Sequence, residues 1–137
     1  MPDTVRSVDY YYIMTPDKPG EACRTLDTLK AAGVNLLAFS GFPSARKSQL
    51  DFVPADSAAF LAAAKQAKLK LSRKKSGFLI RGDDRVGAVC ENLAKLAAAK
   101  INITAIDAVS AGMGRYGAIL WVKGKDHKRA AKALGVQ

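Results

Sequence analysis

Apolar and polar positions follow the same order twice along this chain of 137 residues. Val8–Met14 and Ser76–Arg81 are rich in β-branched and aromatic residues, which predicts a strand in each place. Each strand is followed by a segment whose apolar residues recur at helical spacing. These residues are Ala22, Leu26 and Leu29 in the first copy and Val89, Leu93 and Leu96 in the second.

Two further strands and a second helix complete each copy. The predicted strands are Val34–Ser40, Gln49–Val53, Ile101–Val109 and Ala118–Val122. Asp56 and Asp126 are typical N-cap residues, which predicts helices near Ser57–Ala67 and His127–Leu134.

The two copies differ at their ends. Lys68–Ser72 alternates like a short edge strand and would close the first copy, whereas the second copy reaches Gln137 without a final strand. We expect that strand to be missing, or to be supplied by another part of the chain such as residues 3–8.

The repetition is visible in the residues themselves. Residues 17–40 align without a gap on residues 84–107, at an offset of 67, with nine identical pairs in 24 positions. This order of elements predicts an α+β protein made of two ferredoxin-like βαββαβ repeats, residues 1–72 and 73–137, the second lacking a clear final strand.

In both copies an Asp-x-x-Gly turn joins the first strand to the first helix. A helix N-terminus presents unpaired N–H groups and partial positive charge, and Gly20 or Gly87 would let a ligand approach the backbone. Such a turn can receive a small carboxylate. Read locally, a simpler interpretation is that Asp17 and Asp84 cap the helices.

The first copy, "MTPDKPGEACRTLDTLKAAGVNLLAFS", closely resembles the start of an ACT domain, the small-molecule-binding regulatory module of amino-acid metabolism. The second copy, "DDRVGAVCENLAKLAAAKINITAID", carries the same pattern with Val86 in place of Pro19. The resemblance extends from about Val8 to Leu134 and implies a non-catalytic, allosteric regulatory protein that binds an amino acid or a similar small ligand.

The resemblance also implies where the ligand binds. ACT domains pair through their second strands and commonly bind amino acids at the pair interface, which implies a homodimer here. The turn contributes backbone contacts, and the Asn of "GVNL" can contribute from the neighbouring domain. Carried over, the ligand-binding residues are Thr15, Pro16, Asp17, Lys18, Pro19, Gly20 and Asn35 in the first copy, and Gly82, Asp83, Asp84, Arg85, Gly87 and Asn102 in the second.

Charge leaves two alternatives open. The net charge is +10, and residues 73–137 carry +8 of it. One alternative is an RNA- or polyanion-binding domain of the same topology, using Arg73–Lys75, Arg81 and Arg115. "RYGAILWV" lacks the aromatics that stack bases, so nucleic acid is disfavoured as a partner. The other alternative is a protein-interaction module that binds no ligand.

Several signals argue against catalysis, cofactors and membranes. "GMGRYG" precedes a predicted strand and not a helix, so it predicts a hairpin and no dinucleotide site. His127 is the only histidine, and no nucleophile–base set is visible, so we expect neither an enzyme nor a bound metal or cofactor. No apolar run approaches the ~20 residues that span a bilayer.

The cysteines bear on the compartment. Two of them in a chain without an export signal indicate free thiols in a reducing cytoplasm. We expect Cys23 and Cys90 to be buried in their helices as small hydrophobic residues.

Overall fold

The structure is a computed structural model that describes residues 3–136, and the chain divides into two compact units. The first unit is residues 9–75, and the second unit is residues 3–8 together with 76–136. The assignment of repeats to residues 1–72 and 73–137 stays a prediction, since these units are defined by packing and not by sequence similarity.

The first unit contains most of strand β1 (Thr4–Pro16), which the two units share, followed by helices and strands in the expected order. These are α1 (Glu21–Ala31), β2 (Leu36–Ser44), β3 (Lys47–Pro54) and α2 (Ser57–Gln66). The strands lie in the order β2-β3-β1, and both pairings are antiparallel. Tyr11 of β1 is buried and stacks on Phe60 of α2, with ring centroids 5.4 Å apart.

The predicted edge strand Lys68–Ser72 is wrong. Leu69–Ser72 is irregular, and a tight turn in which the Leu71 N–H donates to the Leu69 carbonyl curls the backbone there. Lys68 adopts a left-handed conformation with φ of 58°. The alternation of apolar and polar residues did not reveal this turn. Such a pattern indicates which side chains share a face of an extended segment, but it does not show whether the backbone turns.

The second unit repeats this plan with its own elements. They are β4 (Lys75–Asp83), α3 (Ala88–Ala98), β5 (Ala105–Gly112), β6 (Arg115–Trp121) and α4 (His127–Leu134), the last preceded by the 3₁₀ turn Gly124–Asp126. The start of β1 lies beside β4, and the order is β1-β4-β6-β5. The final strand absent from the second copy is therefore supplied by the beginning of the chain, which was one of the two expected outcomes.

The first helix of each copy ends in the same way. The backbone hydrogen bonds that close α1 and α3 are equivalent, and the second residue after each helix is left-handed, Gly33 at φ 73° and Lys100 at φ 58°. Lys100 thus adopts a left-handed backbone conformation that is usually occupied by glycine.

Two of the capping predictions have different outcomes. Asp56 caps α2, since its Oδ1 accepts a hydrogen bond from the Ala59 N–H at 3.1 Å. Asp126 does not cap α4 through its side chain, because its Oδ1 accepts from Arg129 at 3.1 Å instead.

"GMGRYG" forms the β5–β6 hairpin, with φ positive at Gly112, Met113 and Gly114, as predicted.

The prediction that Cys23 and Cys90 are buried is wrong, since both are free and exposed. The buried face of α1 carries Thr25 and Leu29, and that of α3 carries Asn92 and Leu96 at the equivalent positions. Each cysteine precedes the buried polar residue by two positions, about 200° around the helix, and therefore faces solvent.

Among residues 3–136, no helix has the length and apolar character needed to cross a membrane.

Candidate functional site

The first turn joins the end of β1 to α1. Thr15 and Pro16 end the strand, and Gly20 is the N-cap residue, with a φ of 89° that strains any L side chain. Asp17 Oδ1 accepts a hydrogen bond from the Ser48 hydroxyl at 3.0 Å. Asp17 therefore fastens the turn to β3, and the interpretation of Asp17 as the cap of α1 is wrong.

The second turn has the same construction. Gly87 is the N-cap residue of α3 with φ of 77°, and Asp84 Oδ2 accepts from the Ser110 hydroxyl at 2.8 Å. Asp84 therefore links the second turn to β5 and does not cap α3. Asp83 Oδ1 accepts from Arg115 at 2.6 Å, and this hydrogen bond lowers the pKa of the Asp83 carboxyl.

A groove of about 430 Å³ lies next to the first turn, entirely within the first unit. It runs between the end of β1, the first half of α1 and the chain that follows α2. Its polar and charged lining includes Thr15, Glu21, Arg24, Thr25, Lys68 and Lys70. The first turn thus borders an open, charged depression rather than a flat surface.

Thr15 is the unusual residue of this groove. The residue is 7% exposed, and its hydroxyl oxygen is buried without a hydrogen-bond partner among residues 3–136. Thr25, which is equally buried in the same groove, donates to the Glu21 carbonyl at 3.1 Å. A buried polar group without a partner costs about 1–3 kcal/mol, so the Thr15 hydroxyl is the one in this pair that lacks compensation.

The groove carries charges of both signs. The Glu21 carboxylate contacts the Arg24 guanidinium and lies 3.9 Å from Lys18 Nζ. The Glu21 side chain is 11% exposed whereas that of Arg24 is 74% exposed, so the cation of this pair faces solvent. A ligand with one positive and one negative group can find a partner for each here.

In the second unit the equivalent position is filled by Asp3. The offset of 67 places Gly82 opposite Thr15 and Asn92 opposite Thr25. The Asp3 carboxylate accepts from Arg85 at 3.1 and 3.5 Å, from Asn92 Nδ2 at 2.9 Å and from the Tyr116 hydroxyl at 2.5 Å. Two of the predicted ligand-binding residues, Gly82 and Arg85, therefore surround a carboxylate of the chain itself.

The shifts in pKa around Asp3 agree with an ionised carboxylate at this position. Burial alone raises the pKa of Asp3, but the hydrogen bonds from Tyr116, Arg85 and Asn92 outweigh it, so the pKa is lowered overall. Burial, followed by the hydrogen bond to Asp3, raises the pKa of Tyr116 to about 12. Arg85 also donates to Glu91 at 2.6 Å, which lowers the pKa of Glu91.

Solved structures share the fold that builds these sites. A protein from Bacteroides thetaiotaomicron has a TM-score of 0.81 over 96% of this chain and 88% of its own, at 16% identity. The regulatory subunit of aspartate kinase from Thermus thermophilus, in a ligand-free form, has a TM-score of 0.65 over 98% and 96%, at 15% identity. The same subunit from Thermus flavus has 0.61 over 98% and 94%, at 17% identity. The chain has the tandem ACT fold.

The likeness is one of fold, because no protein-family profile matches the chain and no curated protein is significantly similar to it. At this level the resemblance to ACT domains is confirmed, as is the α+β class with two ferredoxin-like repeats.

Within each ACT repeat the predicted asparagine lies far from the turn. Asn35 precedes β2, whereas the strand position level with Thr15 is Pro43, eight residues further along and roughly 25 Å away. The Asn35 carbonyl accepts from the Ala55 N–H, and the residue lines a separate depression of about 390 Å³. Asn102 likewise precedes β5, at the end opposite Gly82. A role for either asparagine requires a neighbouring domain and stays a prediction.

The residues around Asp3 include three that the sequence did not reveal, namely Asp3 itself, Asn92 and Tyr116. A signal did exist for Asn92. It stands on an apolar helix face four residues before Leu96, and the alignment places it opposite Thr25, so both ACT repeats put a polar residue on the buried face.

Two cations proposed for RNA binding are engaged within their own unit. Arg115 is bound to Asp83, and Lys75 Nζ lies 5.6 Å from the centroid of the Tyr12 ring. Arg81 is exposed. These contacts reduce the charge available to a polyanion.

His127 has a packing environment that accounts for its presence. Its ring stacks on Phe78 at 4.4 Å, and Nε2 lies 3.0 Å from the Ser7 hydroxyl. Burial lowers the pKa of His127. The histidine therefore links the start of β1 to α4 of the second ACT repeat.

Proposed function

We propose that this protein is a non-catalytic regulatory protein that binds an amino acid in the groove beside the turn Thr15–Gly20. The observation that carries the proposal is Thr15, which lines the open groove and whose hydroxyl is buried without a partner among residues 3–136. A ligand that hydrogen-bonds this hydroxyl would remove the cost of its burial.

The chemistry of the groove favours an amino acid over other small ligands. An amino acid brings a carboxylate and an ammonium group in one molecule, and the lining offers Arg24, Lys68 and Lys70 for the first and Glu21 for the second. The volume of about 430 Å³ lies within the range of small-molecule pockets.

The relatives in fold support a regulatory role. Two of them are regulatory subunits of aspartate kinase, and both match almost their full length. We therefore propose that the present chain regulates an enzyme or another regulator, with the ligand shifting an equilibrium between two states by its difference in affinity for them.

A homodimer is part of this proposal. Strand β2 lies at the end of the strand order, and its residues Phe39 and Phe42 are 37% and 43% exposed. These two rings lie on opposite faces of the strand, and a second copy pairing along β2 would place a strand beside both and bring its Asn35 towards the ligand. The free thiols Cys23 and Cys90 are compatible with the reducing cytoplasm expected from the sequence.

A thermal-shift screen of the protein amino acids tests the proposal. We expect at least one of them to raise the melting temperature saturably at millimolar concentration. The corresponding amino-acid amide and the deaminated acid serve as controls, since each removes one of the two charges and should bind more weakly. If no amino acid binds the folded protein, the ligand-free interaction module becomes the better hypothesis.

A further inference from the structure

Asp3 is bound in the way that proteins bind a carboxylate ligand. The Arg85 guanidinium meets both carboxylate oxygens in a forked geometry, which is the strong and directional form of this contact. Asn92 and the Tyr116 hydroxyl donate to Oδ2 from residues that are 2% and 5% exposed. The Asp3 side chain is 9% exposed, so the carboxylate is nearly withdrawn from water.

Gly82 makes the space for this carboxylate. A β-carbon at residue 82 would lie 1.9 Å from Asp3 Oδ1 and 2.7 Å from its carboxyl carbon. The same β-carbon would lie 2.9 Å from Tyr116 Cε1. The absence of a side chain at this position is therefore explained by the approach of Asp3 and Tyr116, since Gly82 is not among the glycines with positive φ.

The two repeats differ at this place, which is an open groove in the first and is filled by a carboxylate in the second. In the first repeat the equivalent of Gly82 is Thr15 and the equivalent of Asn92 is Thr25, and both line the open groove of about 430 Å³. In the second repeat the glycine, the amide and Arg85 surround a carboxylate that the chain provides.

We propose that Arg85, Asn92 and Tyr116 form a carboxylate-binding site in the second repeat, and that Asp3 is its tethered ligand. A free small carboxylate occupies the site when the Asp3 carboxyl is removed. With Asp3 in place this site is closed to free carboxylates, and the start of β1 stays beside β4.

The tether explains why a free ligand does not displace Asp3. A group held by a short flexible segment has an effective concentration of about millimolar or more, and Asp3 is held by β1 itself, directly before Thr4. A free monocarboxylate with ordinary weak affinity must exceed that concentration to compete. The inference does not depend on ligand binding in the first repeat, because the two sites share no residue.

Chemical rescue of Asp3→Ala by formate tests the inference in the full chain. We expect the variant to melt several degrees below the wild type, and formate to restore part of the loss saturably, relative to chloride at the same ionic strength. The wild type should show no such response. Combining Asp3→Ala with Arg85→Met should abolish the rescue.

Asp9→Ala is the matched control. Asp9 is another carboxylate of β1, and it accepts a hydrogen bond from the Ser57 hydroxyl at 3.2 Å. Formate should not rescue this variant. If formate stabilises Asp3→Ala no more than it stabilises the wild type or Asp9→Ala, the inference is overturned.

A second measurement keeps Asp3 in place and covers the case in which Asp3→Ala does not fold. Carboxyl NMR titration should show Asp3 titrating below the ordinary value of 3.8, and Arg85→Gln should move the titration upward. An Asp3 that titrates at the ordinary value in the wild type would overturn the site. Neither result bears on amino-acid binding at Thr15, which the thermal-shift screen tests separately.

Discussion

The Asp3 carboxylate lies against the bare α-carbon of Gly82, so that a single added methyl group at residue 82 would clash with Asp3 Oδ1. This contact joins the start of the chain to the strand that begins the second copy. It also explains how a copy that ends without its last strand can still form a complete four-stranded unit.

Replacing Gly82 with Ala should release Asp3. The variant loses the charged hydrogen bonds to the carboxylate, each worth about 1.5–3 kcal/mol, and we expect the unfolding free energy to fall by about that amount or more. Denaturant unfolding measures the change. Gly117→Ala is the control on the neighbouring strand β6, since its β-carbon would meet only the Ile80 carbonyl oxygen at 3.8 Å. Equal effects of the two substitutions would refute the role given to Gly82.

Thr15→Val should stabilise the protein in the absence of ligand. Valine keeps the branched shape and removes the buried hydroxyl, for which the described part of the chain offers no partner, so we expect a gain of about 1 kcal/mol in unfolding free energy. Thr25→Val should instead lose about 0.5 to 1 kcal/mol, because the Thr25 hydroxyl donates to the Glu21 carbonyl. A loss of stability in Thr15→Val would mean that its hydroxyl is satisfied in solution.

Lys100→Gly should also be stabilising. Lys100 adopts φ of 58° at the end of α3, where glycine avoids a steric cost of about 1–2 kcal/mol but loses more chain entropy, which leaves a gain of about 0.5–1 kcal/mol. Gly33→Ala at the equivalent end of α1 should be destabilising by about 1 kcal/mol. Thermal unfolding of the two variants should therefore shift in opposite directions, and shifts of the same sign would contradict the equivalence of the two helix ends.

Stability should fall as the pH drops below about 6.5, the ordinary pKa of histidine. Because burial lowers the pKa of His127, the folded state favours the neutral ring. The stability that this preference contributes is fully present above the pKa of the unfolded state and is lost as the pH falls through the pKa of the folded state. Protonation would place a charge at Nδ1, which is buried without a partner among residues 3–136.

The control is His127→Gln, whose unfolding free energy should vary less between neutral pH and pH values near the folded pKa. Parallel curves for this variant and the wild type would exclude His127 as the source. A second loss, from Asp3, should begin only near its ordinary pKa of 3.8 and continue downward, since its folded pKa is lowered.

Much of the fold could be predicted because it rests on local patterns that occur twice. The helix His127–Leu134 has the predicted bounds, and α2 begins at the predicted Ser57. The strand ends were less predictable: β1 starts four residues before the predicted Val8, because the sheet neighbour that extends it, β4, comes much later in the sequence.

The candidate sites were predictable only in part, for the same reason. The turn residues follow one another in sequence, so Thr15–Gly20 could be named from the repeat. The Asp3 site joins residues 3, 85, 92 and 116, which no spacing rule relates, and it depends on the first strand entering the second unit. The prediction for the cysteines was wrong because residues two positions apart on a helix lie on nearly opposite faces. The buried face carries the polar residues Thr25 and Asn92, so the sequence did not indicate which face was buried.

Calorimetric titration of amino acids into the wild type and Thr15→Val tests the central claim most directly. The account predicts saturable binding of at least one amino acid to the wild type and affinity about tenfold or more weaker in Thr15→Val, the effect of losing roughly 1.4 kcal/mol. Equal affinity in the two proteins, or no binding to folded wild type by any amino acid at millimolar concentration, would contradict it.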